Sequence, residues 1–362
     1  MSRRLYILHP VRIFHGVFML LDQSGRALVV IVNYRTADLV VACLRSLQAE
    51  IAAHPGCTVT VVDNASADGS VETIRCAIDA EGWSAWVRMI ASPANGGFAA
   101  GNNVAIRAAL AQVPRPEYVW LVNPDTLVRR GALAALLAFM ARQPCAGIAG
   151  GSLEDENGDH WPFAFRFPSL WGELDSGLRL GFVSRLLARH NIVRRMGDEP
   201  TQVDWISGAN FMLRTALIDA IGLMDDGYFL YFEETDYCQQ ARRAAWECWY
   251  VPDARVLHLV GQSTGVSSKA QLQRRRPAYW FESRRRYFIK NHGRWYAMAA
   301  DLLWLLGFAL WRLRRWVQRK PDHDPPHLLV DFARHSSLAN FGLPDRRSAA
   351  VPVSGSDERL GT

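Results

Sequence analysis

The first half of the chain alternates short apolar runs with stretches of helical periodicity. Ala27–Asn33 (Ala-Leu-Val-Val-Ile-Val-Asn) is a continuous apolar run of the kind found in strands buried on both faces. Over Ala37–Ala53 the apolar positions switch to helical spacing, at Leu39, Val40, Cys43, Leu44, Leu47 and Ile51. The exchange then repeats. Strands are predicted at Thr58–Asp63, Val87–Ala91 and Tyr118–Asn123, and helices at Ser70–Ala80, Gly101–Leu110 and Gly131–Ala141. This alternation predicts βαβ units and a parallel sheet, hence an α/β fold.

The second half is less regular. Residues 152–203 hold scattered Asp, Asn, Pro and Gly and show no usable period. Trp205–Arg214 reads as a strand-like run around one glycine, followed by a helix at Thr215–Ile221. A further helix is predicted at Thr235–Ala245, and short strands at Cys248–Val251 and Ala254–His258. At the N-terminus, Leu5–Leu21 is mostly apolar but carries His9, Pro10, Arg12 and His15, and no small-residue cleavage site follows it. It does not read as a secretory signal. Residues 1–26 are either an irregular extension or partly a segment upstream of a start at Met19. Residues 321–362 read as a polar, disordered tail, most clearly after Val351.

Ligands on parallel sheets sit at the carboxyl ends of the strands. Polar residues gather at those ends here: Asn33, then Asp63-Asn64, then Asn123-Pro124-Asp125. Asp63 either accepts hydrogen bonds from a ribose or base imide, or caps a turn. Asp125 either anchors a divalent cation with one oxygen while substrate phosphates fill other positions, or forms an Asx turn. Asn95-Gly96-Gly97-Phe98-Ala99-Ala100-Gly101-Asn102-Asn103 enters a helix, so its N–H groups either approach a phosphate or simply turn the chain. Glycine is missing after the first strand, where a dinucleotide fingerprint needs it, and no Gly-x-x-x-x-Gly-Lys-[Ser/Thr] occurs. These absences argue against nicotinamide redox chemistry and P-loop hydrolysis.

Tyr228-Phe-Leu-Tyr-Phe-Glu-Glu-Thr-Asp sets three carboxylates, Glu233, Glu234 and Asp236, behind an aromatic run. Crowded carboxylates beside apolar walls lose solvation and repel one another, which raises a pKa towards that of a neutral-pH base. The alternative is an acid-rich first helical turn. His258, on an apolar strand, is either a satisfied core residue or a partner that the fold returns to Asp125.

Taken in order, Val29-Val-Ile-Val-Asn-Tyr, Val61-Val-Asp-Asn-Ala-Ser, the Asn95–Asn103 loop, Asn123-Pro-Asp, Ser207-Gly-Ala-Asn-Phe and Tyr231-Phe-Glu-Glu-Thr-Asp resemble family 2 glycosyltransferases, and more narrowly their bacterial rhamnosyltransferase-like branch. The resemblance covers about residues 27–295, through Arg286-Tyr-Phe-Ile-Lys-Asn-His-Gly. It implies a GT-A fold: a Rossmann-like, mostly parallel nucleotide-binding sheet flanked by helices. Residues 27–150 would be the nucleotide-sugar half and 151–270 the acceptor and catalytic half. It implies an inverting, metal-dependent transfer from a nucleotide-diphosphate sugar, dTDP-L-rhamnose first and UDP-galactofuranose or another UDP-sugar second, to a lipid-linked or cell-envelope glycan. Glu234 matches the catalytic base, where the family often has aspartate. Asp125 and His258 match ligands of Mg²⁺ or Mn²⁺. Asn33, Asp63, Asn64, Asn95, Gly97, Asn102, Asn123, Asp125 and Gly208 fall at donor-binding positions. Trp205, Glu233 and Asp236 fall where they would hold the acceptor or the motif helix.

Charge adds a last feature. The chain carries 41 Lys and Arg against 35 Asp and Glu. Arg274–Lys320 alone is +11 with 11 aromatic residues, while the rest is −5. Ala297–Trp311 is almost wholly apolar, with Arg312, Arg314 and Arg315 after it. Segment 271–320 therefore reads as a helix docking on an anionic membrane surface, with Trp304, Trp311 and Trp316 at headgroup level, or as a helix packed on the catalytic domain. Nucleic acid is not an expected partner, because the cations form one block. A non-catalytic sugar-nucleotide-binding scaffold is a rival reading, and it would lack the base or metal ligand. The six cysteines form no Cys-x-x-Cys pair, as in a reducing compartment. The expected location is cytoplasmic, peripheral on the inner face of the bacterial membrane.

Overall fold

A computed structural model describes residues 26–155, 164–259 and 274–341. The N-terminal apolar run and the end of the tail lie outside them. Strands β1 (Ala27–Asn33), β2 (Thr58–Asp63), β3 (Val87–Ala91) and β4 (Tyr118–Val122) lie within a residue of their predicted bounds. They alternate with helices α1 (Ala37–Ala53), α2 (Ser70–Ala80), α3 (Gly97–Leu110) and α4 (Ala132–Arg142). β1 and β4, in the middle of the sheet, are buried almost throughout, which is why they read as unbroken apolar runs, whereas the edge strand β3 exposes Arg88 and Ala91.

The sheet continues through β5 (Thr126–Val128), β6 (Ala146–Glu154), β8 (Thr201–Val203), β10 (Asn210–Arg214) and β11 (Glu247–His258). A separate two-stranded ribbon pairs β7 (Ala164–Phe165) with β9 (Trp205–Ile206). The nine-stranded sheet has the order β3-β2-β1-β4-β10-β6-β11-β5, with β8 on β11. β1, β2, β3, β4, β6 and β11 point one way; β5, β8 and β10 are reversed. The sheet is thus mostly parallel, as expected.

Four expectations need correcting. β6 was not predicted: its Ala-Gly-Ile-Ala-Gly-Gly-Ser core has a single bulky β-branched residue, Ile148, among small ones, yet it is buried throughout. The single run Trp205–Arg214 is two strands, broken at Ser207–Ala209. The two short strands near His258 are one, β11, with an irregular register between Val251 and Val256. Residues 152–203 are more ordered than their pattern suggests, holding helices α5 (Leu170–Leu178) and α6 (Gly181–Leu186).

Helix α7 (Thr215–Ile221) precedes the carboxylate segment, which opens α8 (Glu233–Arg243). The C-terminal part is helical: α9 (Ala278–His292), α10 (Arg294–Val317) and α11 (Leu328–His335). α11 falls inside the segment expected to be disordered. Its Leu328 and Phe332 are buried against Phe281, Trp304 and Phe308, and that apolar contact holds it in place.

α10 lies backbone-close on α5. A side chain on Gly177 would meet the Trp304 carbonyl at 2.6 Å, and one on Gly307 would meet Leu178 N at 2.9 Å. Beneath this contact Arg284 is buried, with Glu173 at 2.7 Å and Asp301 also in hydrogen-bond contact. Arg284→Met leaves both carboxylates buried without their cation. We expect a loss of about 3–5 kcal/mol in urea unfolding, the usual cost of breaking a buried pair.

Part of the basic block is paired with acids from elsewhere in the fold. Arg275 pairs with Asp331, Arg286 with Asp225, Lys290 with Asp225 and Asp236, and Arg312 and Arg315 with Asp322. Part of the charge asymmetry in the sequence is therefore internal to the structure.

Candidate active site

The carboxyl ends of β1, β2 and β4 open into a cavity of about 610 Å³. Tyr34, Thr36 and Asn64 line it from the first two strand tips, and Asn123 and Pro124 from the fourth. Asn95, Gly97 and Phe98 close one side, and Ser207, Gly208 and Ala209 another. Glu233, Glu234, His258 and Tyr279 complete the wall.

Asn33 and Asp63 lie just behind that wall. Asn33 Nδ2 donates to Asp63 Oδ1 (2.7 Å) and Ser66 Oγ (3.1 Å). Asp63 also accepts from Ser66 Oγ (2.5 Å) and Ser66 N (3.0 Å). Asn33 Oδ1 accepts from the backbone and hydroxyl of Thr36. This buried knot fixes the two strand tips relative to each other. Asn64, next in sequence, faces the cavity and donates to Asn95 Oδ1 (2.9 Å) and Gly97 O (3.0 Å).

The glycine-rich loop serves packing. Gly97 sits at φ +84°, and a Cβ there would run into the Phe229 carbonyl. The Phe98 N–H donates to Phe229 O (2.9 Å) and the Gly97 N–H to Asn95 Oδ1 (3.0 Å). Both of these amides are used inside the protein, and through them the loop anchors the Tyr228–Phe232 segment. Asn102 lies on α3 and donates back to Phe98 O.

β11 pairs antiparallel with β5, with His258 opposite Thr126. That register brings His258 Nε2 to 3.3 Å from Asp125 Oδ1. Asp125 is buried, and His258 Nε2 has no hydrogen-bond partner among the described residues. A carboxylate oxygen and an imidazole nitrogen side by side suit a cation that draws its remaining ligands from a diphosphate and water. No cluster of three or more such side chains occurs among the described residues, so a closed structural metal site is not indicated.

Two consecutive left-handed residues, Tyr231 (φ 70°) and Phe232 (φ 68°), swing the chain into α8. Each costs about 1–2 kcal/mol in a residue with a side chain. The turn delivers Glu233 and Glu234 to the cavity, each with an Oε2 that has no hydrogen-bond partner among the described residues. Burial, then the charge of Glu234, pushes the Glu233 carboxyl well above the usual range. Burial pushes Glu234 up to about 7, with its own backbone N–H and that of Gly208 acting the other way. Asp236 points away: it accepts from Lys290 Nζ (2.6 Å) and Asn291 Nδ2 (2.7 Å), which ties α8 to α9.

A second cavity, of about 390 Å³, lies on the other side of Tyr231 and Glu234, which line both. Trp205, Trp280, Arg179 and Arg276 are in its wall.

A family model described as glycosyltransferase like family 2 matches residues 25–297. The chain belongs to glycosyltransferase family 2. It is 28% identical over 292 residues to N-acetylglucosaminyl-diphospho-decaprenol L-rhamnosyltransferase of Mycobacterium tuberculosis, covering 77% of this chain and 88% of that one. It is 25% identical over 166 residues to rhamnosyltransferase WbbL of Escherichia coli K12, covering 45% and 60%. Among solved structures it resembles the mannosyltransferase PcManGT from Pyrobaculum calidifontis, captured with GDP-Man and Mn²⁺. That match has TM-score 0.51 and 14% identity over 87% of this chain and 86% of the other. The fold is GT-A, as the motifs implied.

In this glycosyltransferase, Asn64, Asn95, Gly97, Asn123, Gly208, Glu233, Glu234 and His258 meet at one cavity. Asn33, Asp63, Asn102 and Asp236 stand outside its wall in supporting contacts, and Trp205 lines the second cavity. Sequence reasoning missed Tyr34, Thr36, Phe229 and Tyr279 in the first cavity and Arg179 and Arg276 in the second. The aromatic run at Tyr228–Phe232 was the available signal for Phe229. Nothing local marks the others.

Proposed function

We propose that this glycosyltransferase transfers L-rhamnose from dTDP-L-rhamnose, with inversion, to a lipid-linked cell-envelope glycan at the cytoplasmic face of the membrane. The observation that carries this reading is Glu234: a carboxylate raised towards neutrality, with a bare Oε2, on the wall between two cavities. The first cavity takes the donor. Asn64 and Tyr34 border its nucleotide end, and the Asn33–Asp63–Ser66 knot holds that end rigid. The second takes the acceptor. The acceptor hydroxyl oxygen attacks C1 of the sugar, the C1–phosphate oxygen bond breaks, and the nucleoside diphosphate leaves. The hydroxyl proton passes to Glu234 Oε2. Glu233 is the more enclosed of the two, and burial and then the charge of Glu234 disfavour its ionisation, which favours Glu234 as the base.

Asp125 and His258 would hold Mg²⁺ or Mn²⁺, which supplies positive charge to the leaving diphosphate when bound. The rhamnose assignment leans on the two rhamnosyltransferase relatives. Turnover measured across nucleotide sugars, with a prenyl-diphosphate-linked N-acetylglucosamine acceptor, tests it. dTDP-L-rhamnose is expected to be the best donor; faster transfer from UDP-galactofuranose or another UDP-sugar overturns that choice.

The membrane contact takes a different form from the one the sequence suggested. Trp304 and Phe308 are buried, and Leu305 and Trp311 pack against the same cluster. Arg314 donates to the carbonyls of Leu178 and Arg179, and Arg312 and Arg315 pair with Asp322. The opposite face of α10 is bare: Leu302, Leu306, Leu310, Leu313 and Trp316, the last 76% exposed. At about 1.5 Å per residue the helix is about 36 Å long. With one face packed, we propose that it lies along the membrane surface on this leucine ridge. Replacing Leu306, Leu310 and Trp316 by Ser is expected to lower co-sedimentation with anionic vesicles at least tenfold. Unfolding midpoint should change little, because all three side chains are more than half exposed. Undiminished sedimentation would remove the ridge from the membrane contact.

A further inference from the structure

We infer that the second cavity is a binding site for the diphosphate of a prenyl-diphosphate-linked acceptor, with Arg276 as its principal cation and Arg179 beside it. The inference rests on the reading of that cavity as the acceptor side of Glu234. The wall presents three guanidinium groups, from Arg179, Arg276 and Arg284, and they are not equivalent. Arg284 is satisfied by Glu173 and Asp301. Arg179 has Asp324 at 2.6 Å, on an otherwise half-open side chain. Arg276 has no ion pair or hydrogen bond among the described residues. Its guanidinium lies over the face of Trp280, 4.5 Å from the ring centroid.

A partly buried guanidinium without a carboxylate is costly, and a second guanidinium nearby adds to that cost. Burial weakens the hold of Arg276 on its proton; Tyr231 acts the other way, and the charge of Arg179 adds to the weakening. An anion entering the cavity relieves both effects. Guanidinium groups bind phosphate oxygens in bidentate fashion, and two side by side suit a diphosphate better than a single carboxylate. The rest of the wall matches the ligand on either side of that group. Trp205 and Trp280 bring aromatic surface of the kind that suits a sugar ring, while Ile192, Trp304 and Leu328 bring apolar surface. The cavity also reaches Glu234, where the sugar hydroxyl must arrive. Glu173 is the one other carboxylate in the wall, and it is turned to Arg284.

Direct binding tests this without relying on turnover. Farnesyl diphosphate, farnesol and inorganic pyrophosphate would be titrated into the full-length wild type, Arg276→Met and Arg276→Lys. Anionic vesicles without a diphosphate lipid serve as the competing source of phosphate. Farnesyl diphosphate is expected to bind the wild type and to lose about 10- to 100-fold in affinity in Arg276→Met, the worth of one charge-assisted contact. Arg276→Lys should recover part of that loss, and pyrophosphate should compete. Nucleotide-sugar affinity, measured in the same samples, reports that the first cavity is intact. Equal affinity for farnesol and farnesyl diphosphate, or no change in Arg276→Met, overturns the assignment. So does competition by vesicles but not by pyrophosphate. If farnesyl diphosphate binds as expected while no prenyl-linked glycan is glycosylated, the site stands and the proposed reaction fails.

Discussion

Asp125→Ala is expected to abolish sugar transfer, by at least about 10³-fold, since a cation on a leaving diphosphate contributes several kcal/mol. The reason lies in the pairing of β5 with β11. That register sets His258 Nε2 3.3 Å from Asp125, and no other His, Cys, Asp or Glu completes a cluster there among the described residues. With so few protein donors, losing the carboxylate removes the main anchor. Nucleotide-sugar affinity should fall sharply in Mg²⁺, and EDTA should reproduce that fall in the wild type while adding nothing in the variant. Asp125→Asn, which preserves shape in this buried position, guards against a folding artefact. Equal nucleotide affinity in wild type and both variants, with and without EDTA, would refute the role.

Glu234→Gln is expected to leave donor binding and the fold intact while lowering turnover by roughly 10²–10⁴-fold, the usual worth of a general base. A pH profile sharpens the test. The base works only when ionised, and burial places Glu234 at about 7. Wild-type kcat/KM should therefore rise with pH and level off above about 7, and Glu234→Gln should lack that limb. Glu233→Gln removes a neighbour whose ionisation opposes that of Glu234, so its limb should stay or move to lower pH. Should Glu233→Gln be inactive and Glu234→Gln nearly normal, the base is the neighbouring residue.

Apart from the three-residue β5, the order of strands and helices from Ala27 to Arg142 was legible in the sequence, because periodicity is a local property. So was the gathering of polar residues at the strand tips, which a parallel sheet places at one edge. The carboxylate pair was legible as chemistry, through three acids behind an aromatic run. Strand β6 was hidden by its small residues, whose burial comes from neighbours far away in sequence. Propensity reports a residue's fit to a generic half-buried surface, and it is silent about which backbone will lie alongside.

Pairings across long stretches of chain were decided only by tertiary structure. His258 became a partner of Asp125 through the register of β11 on β5. The glycine-rich loop became an anchor for the carboxylate turn because Gly97 meets Phe229. The basic aromatic block divided into buried ion pairs, a packed helix face and a bare leucine ridge, according to which acids and helices the fold brought opposite it. The sequence by itself determined which residues could bear charge, metal or substrate, since side-chain chemistry travels with the residue. Which of them face a cavity, and which are consumed in holding it open, follows from three-dimensional neighbours, since solvation and partnership belong to the folded environment.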